Sequence, residues 1–203
     1  MPFLIPELKE NRISAVIPVN KKTLGFSFKQ KGFSEFNQLE ARITYAQQLL
    51  NGLNVGVGIE YGAISTMENS TNDYLTSNIS LLIAMHSKTK IITLFQSPFS
   101  NQLKNQALLA TTPAFKVGVH YAQSSSISLI GEIHKQLNFQ TLIQLSTQWQ
   151  VNDYLSFYLG VQSNYTVTAS IAFLIQKFSV SISYKHQQPI GDTPSILSTY
   201  RFD

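Results

Sequence analysis

Apolar and polar residues alternate with a two-residue period along most of the chain. In residues 178–185, FSVSISYK, an apolar or aromatic residue is followed each time by serine or lysine. This is the period of a β-strand with one apolar and one polar face. Helical periodicity is not convincing anywhere, and no run approaches the roughly 18 consecutive apolar residues of a transmembrane helix. The pattern therefore predicts an all-β chain.

The alternating segments are separated by turn signals, of which Leu50-Asn51-Gly52 is a strong hairpin sequence. About thirteen strands are predicted, at residues 12–19, 23–30, 36–48, 53–67, 77–87, 91–96, 113–122, 126–136, 139–150, 154–163, 165–176, 178–185 and 194–202. Longer connections are predicted at residues 31–35, 68–76, 97–112 and 187–192, and most of the others are tight. Short turns at one end and longer loops at the other are typical of outer-membrane barrels.

The strand count raises a question of parity. Thirteen strands leave the first and the last running in the same direction, whereas single-chain bacterial barrels have an even number. We therefore expect a fourteenth strand and an export signal upstream of Met1, so that residues 1–203 form a single barrel domain without its N-terminal strand. The alternative is a miscount of one strand, such as the weak segment 91–96.

Composition favours a chain that does not face water on all sides. Only 13% of the residues are charged, against about 25% in soluble domains. The net charge of +4 comes from scattered Lys and Arg, which excludes a nucleic-acid patch. Cysteine is absent, so neither disulfides nor thiolate metal sites are expected. Because a closed barrel pairs every backbone group inside hydrocarbon, we predict an up-and-down antiparallel transmembrane β-barrel. A soluble sandwich or lipocalin-like barrel remains the alternative.

The polar faces carry the candidate functional residues. They are Glu40, Arg42, Glu60, His86, Lys116, His120, Glu132, His134 and Lys185. One interpretation makes them a polar track or gate for a solute in the lumen, and the other has them pair with each other and with water. His120, Glu132 and His134 fall on neighbouring predicted strands, but their spacing does not indicate a metal site. No metal or other cofactor is predicted.

Enzymatic activity is not expected. No Gly-x-Ser-x-Gly elbow accompanies the many serines. Glycines between residues 52 and 62 alternate with apolar residues in a strand and do not open a helix, so they do not form a phosphate loop. No catalytic residue is therefore assigned.

Two segments carry a resemblance to a known family. They are LGFSFKQKGFSEFNQLEARITYAQQLLNGLNVGVGIEYG (residues 24–62) and SVSISYKHQQPIGDTPSILSTYRF (residues 179–202). They resemble the PorV/PorQ-type and FadL-like outer-membrane barrels of Bacteroidota, which are commonly fourteen-stranded, and the resemblance spans about Phe3 to Phe202. The last strand, with Tyr200 and Phe202, looks like the terminal assembly strand of such barrels, although Asp203 departs from their pattern.

This resemblance implies an outer-membrane location, with outer-membrane lipid and the barrel-assembly machinery as partners. Similarity to the PorV/PorQ type implies a non-enzymatic accessory or docking role in type IX secretion, with other envelope or secretion proteins as partners. Similarity to the FadL-like type implies instead a passive transporter or porin for small or hydrophobic solutes. The sequence leaves both functions open.

Overall fold

The computed structural model describes residues 9–33, 36–66, 71–102, 112–188 and 191–202. These residues form one thirteen-stranded sheet in which strands adjacent in sequence pair antiparallel. The strands are β1 (Glu10–Val19), β2 (Lys22–Phe33), β3 (Phe36–Leu50), β4 (Leu53–Thr66), β5 (Thr71–His86), β6 (Thr89–Gln102), β7 (Ala114–Ala122), β8 (Ile127–Gln136), β9 (Leu142–Asn152), β10 (Leu155–Gln162), β11 (Val167–Ile175), β12 (Phe178–Gln187) and β13 (Gly191–Tyr200). The prediction of an all-β, up-and-down antiparallel fold is confirmed. The described residues include no helix long and apolar enough to cross a membrane.

Several strands extend further than their hydrophobic alternation predicts. β5 begins at Thr71 and β6 continues to Gln102, so the loops predicted at 68–76 and 97–112 are too long. The β5–β6 register shifts between Thr76 and Asn78, and Ser97 has a φ of 53°. These irregularities interrupt the side-chain alternation while backbone pairing continues, because ladders depend on backbone groups. The remainder of the second loop, 103–111, lies outside the described residues.

The register gives the sheet two chemically distinct faces. Directly paired residues lie on the same face of the sheet, so an apolar position on one strand is continued on the next. Ile43, for example, pairs with Phe26 on β2 and with Ile59 on β4. Ile43 and Ile59 are 58% and 60% exposed, whereas Glu60 on the opposite face is only 9% exposed. A curved sheet shelters its concave face, so the polar face is the inner one and the apolar face is the outer one.

Among the described residues, each of the two outermost strands is paired along one edge only. β1 and β13 run in the same direction because the described sheet has an odd number of strands, and no ladder joins them among the described residues. The Gly32 amide donates to the Lys9 carbonyl and the Arg201 amide donates to the Lys177 carbonyl. Odd-numbered residues such as Lys9 and Arg201 therefore point their backbone groups towards the paired neighbour. By the two-residue period, the even-numbered residues of both strands point theirs towards the unpaired edge. Pro18 and Pro194 occupy such positions, where the missing N–H breaks no ladder bond.

A charge on the outer face should destabilise the protein in lipid much more than the same charge on the inner face. Ile182 lies in the middle of β12 on the outer face, opposite Ile171 and Ile196, and the adjacent Ser183 lies on the inner face. We expect Ile182→Arg to lower the free energy of unfolding by about 2–4 kcal/mol near the bilayer midplane, and Ser183→Arg to be much milder. Urea unfolding in lipid vesicles measures both, and equal losses would contradict the assignment of faces.

Candidate functional site

The candidate site is the inner face of the sheet, and most of the residues that sequence suggested lie on it. The register places eight of them there, namely Glu40, Arg42, Glu60, Lys116, His120, Glu132, His134 and Lys185. His86 is different, because it ends β5 beside the turn to β6 and is exposed. Its Nδ1 lies 3.1 Å from the Ser87 hydroxyl.

An ion pair joins the middle of β3 to the middle of β4 on this face. Arg42 and Glu60 are directly opposed in the register, and the Arg42 Nε–H donates to Glu60 Oε2 at 2.6 Å. A second Arg42 nitrogen, Nη2, also donates to that oxygen. Glu60 is nearly buried at 9% exposure, so its carboxylate depends on this pairing for stabilisation.

A second ion pair extends the network towards β2 and β5. Lys29 Nζ lies 2.6 Å from Glu40 Oε2, and the Gln38 amide donates to Glu40 Oε1 at 2.7 Å. The Tyr74 hydroxyl donates to the same Glu40 oxygen at 3.4 Å. Sequence analysis missed Lys29, Gln38 and Tyr74, because nothing in the alternation reveals which positions become neighbours. These contacts and the Arg42–Glu60 pair together form a polar wall across β2 to β5.

Glycines on β4 leave room for side chains of β5 to lie across the strand and complete this wall. Tyr74 reaches from β5 to β3 by lying over Gly62, where a Cβ would be 2.0 Å from the tyrosine ring. Ser80 and Asn78 cover Gly56 and Gly58 in the same way, with polar atoms 2.5 Å and 2.4 Å from a built Cβ. The glycines at alternate positions of β4 were the sequence signal for this arrangement.

A second polar cluster lies across β7 to β10. Lys116 Nζ is 2.8 Å from Glu132 Oε2. The Gln144 amide donates to the Tyr158 hydroxyl at 2.8 Å, and the Gln162 amide donates to Gln144 Oε1 at 2.7 Å. These residues except Tyr158 line a cavity of about 270 Å³ together with Leu94, Gln96, His134 and Leu142. The lining combines hydrogen-bonding groups with two apolar side chains.

The histidines do not form a metal site in the described part of the chain, where no three His, Cys, Asp or Glu residues converge. His134 lines the 270 Å³ cavity. His120 faces Lys90 and Ile130 across the ladders, and its Nδ1 is buried without a hydrogen-bond partner among the described residues.

A larger concavity of about 620 Å³ lies on the opposite, outer face of β1–β4. Its side-chain lining is almost entirely apolar and includes Ile13, Phe26, Ile43, Val57 and Tyr61. Because this surface faces away from the polar network, it is not part of the candidate site.

Comparison with known proteins supports the fold. The chain superposes on a solved structure described as the CymD monoaromatic hydrocarbon channel, with a TM-score of 0.67 and 12% identity over 95% of this chain and 82% of that one. A mutant of the Rh. blastica porin gives a TM-score of 0.44 and 7% identity over 95% of this chain and 89% of the porin. No protein-family model and no curated protein sequence matches the chain.

The fold is that of an outer-membrane β-barrel. The first superposition decides this, and the exposed apolar face is consistent with an outer-membrane location. The specific family suggested by the sequence resemblance is not confirmed. The twelve per cent identity with the hydrocarbon channel shows the fold and leaves the solute open.

Removing one partner of the Arg42–Glu60 ion pair should lower the stability of the protein. Arg42→Met leaves the Glu60 carboxylate sheltered without its partner, so we expect a loss of about 1–3 kcal/mol in the free energy of unfolding. The double variant Arg42→Met/Glu60→Gln removes the unpaired charge and should recover part of that loss. Denaturant titrations of the four proteins in a double-mutant cycle measure the coupling, and strictly additive losses would show that the pair is not coupled.

Adding a methyl group at Gly62 should disturb the Tyr74 contacts. The new Cβ would overlap the tyrosine ring, so we expect Gly62→Ala to cost about 1–3 kcal/mol through overpacking. Gly131→Ala is the matched control, because the nearest atom to its Cβ, in Leu145, is at an ordinary 3.6 Å. Thermal or urea unfolding compares them, and a Gly62→Ala protein as stable as the control would refute the packing argument.

Proposed function

We propose that the protein is a passive, non-enzymatic channel of a bacterial outer membrane, with a water-accessible lumen along its inner face. The observation that carries this proposal is the inverted distribution of side chains, with hydrogen-bonding groups on the sheltered face and apolar groups exposed. Polar interiors of this kind line the aqueous channels of porins. Close backbone contacts among the described residues join only strands that are neighbours in the sheet, so no described strand crosses the lumen.

The inner face offers a cavity for part of a small solute. This cavity of about 270 Å³ between Lys116, Gln144 and Leu142 is close to the size of the pockets that hold small organic molecules. The inner face also carries Ile92, Leu94 and Ile130, which would favour solutes with an apolar part. The chain shares its fold with a protein described as a monoaromatic hydrocarbon channel. This likeness in fold supports the proposal of a small or hydrophobic solute.

An accessory role in envelope protein secretion, of the PorV/PorQ type, is a second proposal. Two surfaces favour it, namely the apolar concavity on β1–β4 and the edge of β1 that has no partner among the described residues, since exposed apolar patches and free strand edges are common protein-interaction surfaces. An assembly partner of this kind would bind from outside the lumen. Cross-linkers on the outer face of β1 should therefore capture an envelope protein if the accessory role holds, whereas cross-linkers on the inner face should not.

Reconstitution into planar bilayers tests the channel. Folded protein, verified by a faster-migrating unboiled form on a gel, should give stepwise conductance. Gln148→Trp adds a bulky ring to the inner face of β9 and should reduce the step size, whereas Leu145→Trp, on the outer face, should not. Folded wild-type protein without conductance steps would contradict the proposal.

A further inference from the structure

Among the residues that the structure describes, the inner face carries more positive than negative groups. Its carboxylates among the described residues are Glu10, Glu40, Glu60 and Glu132. Its cations are Arg12, Lys29, Lys31, Arg42, Lys90, Lys116 and Lys185. The outer face carries few charges, and they lie near strand ends, as Lys135 and Asp192 do. Within the described strands, the excess of positive charge therefore lies on the inner face, because the outer-face Lys22 and Lys135 are matched in number by Asp73 and Asp192.

Each of these carboxylates already has a cationic partner. Arg12 lies 3.7 Å from Glu10, and Lys29 lies 2.6 Å from Glu40. Arg42 pairs with Glu60, and Lys116 pairs with Glu132 at 2.8 Å. These pairs neutralise themselves within the wall, so the remaining lysines determine the sign of the potential.

Lys90 and Lys185 are the clearest of the unmatched cations. Lys90 is opposed by Ala84 and His120 across its two ladders, and Lys185 is opposed by Thr168 and Thr193. Neither lysine has an ion pair among the described residues. Lys90 is next to the tight turn between β5 and β6, whereas Lys185 is near the connection between β12 and β13 at the other end of the sheet. Positive charge is therefore present towards both ends of the lumen.

We propose that the lumen selects small anions over cations and that Lys90 and Lys185 determine this selectivity. The inference rests on the proposed channel function and specifies its solute class. A cleft with low-dielectric walls concentrates the field of its fixed charges, and pores that prefer anions use lysine or arginine in this way. The apolar membrane-facing shell around the inner face supplies those walls.

Reversal potentials in a KCl gradient across a planar bilayer test this inference. Measurement at one fixed pH and about 0.1 M salt keeps the Debye length near 10 Å. We expect the wild-type channel to favour chloride over potassium by about twofold or more. Lys90→Gln/Lys185→Gln should bring that ratio close to one.

The control Lys22→Gln/Lys135→Gln removes the same total charge from outer-face positions near strand ends. It should keep the wild-type ratio. A conducting wild-type channel with no preference, or with a preference for potassium, would overturn the inference while leaving the channel function intact. Equal effects of the two double variants would overturn the assignment to Lys90 and Lys185. Folded protein with no conductance at all would overturn both the channel and its selectivity.

Discussion

The backbone ladder between neighbouring strands is the interaction on which the rest of this structure depends. Twelve antiparallel pairings run in sequence order from β1 to β13. Apart from the outward-pointing groups of β1 and β13, they satisfy the peptide groups of the strands without a packed apolar core. The side chains are then free to place apolar groups outward and polar groups inward, which is stable only where the outer medium is itself apolar. Among described residues, only Ile64, Tyr74 and Ala114 are buried hydrophobic residues. The hydrophobic effect therefore acts between this sheet and its surroundings more than within it.

The chemistry of the inner face follows from that inversion. A strand bordering a lumen can carry glycine where a neighbour's side chain lies over it, and Gly62 beneath Tyr74 is the clearest case. Such close approach brings Glu40 within reach of hydrogen-bond donors from β3 and β5. The same wall neutralises its carboxylates with Lys29 and Arg42. The polar contacts of the wall and the excess of positive charge on the described inner face thus both follow from how the strands are registered.

Strand number, strand direction and the two faces were predictable because the two-residue period passes from strand to strand through the tight turns. The Asn51-Gly52 hairpin, for example, forms with Gly52 at a φ of 82°. Strand ends were not predictable where a register shift near Ser77 and the positive φ at Ser97 interrupt the alternation. Nor does the period reveal cross-strand partners, so Arg42–Glu60 was found only from the register. Parity correctly anticipated that β1 and β13 run in the same direction, whereas the expected fourteenth strand and the proposed secretion role stay predictions.

The central claim is that the polar face borders water and the apolar face borders lipid. It can be tested directly because the sequence contains no cysteine, so single cysteines report one position each. Gln144, Leu145, Gln148 and Leu159 would be replaced one at a time, and the folded proteins in lipid vesicles exposed to a small membrane-impermeant maleimide. We expect rapid labelling at Gln144 and Gln148 and protection at Leu145 and Leu159. Rapid labelling at all four positions would show that water reaches both faces and would contradict the membrane barrel.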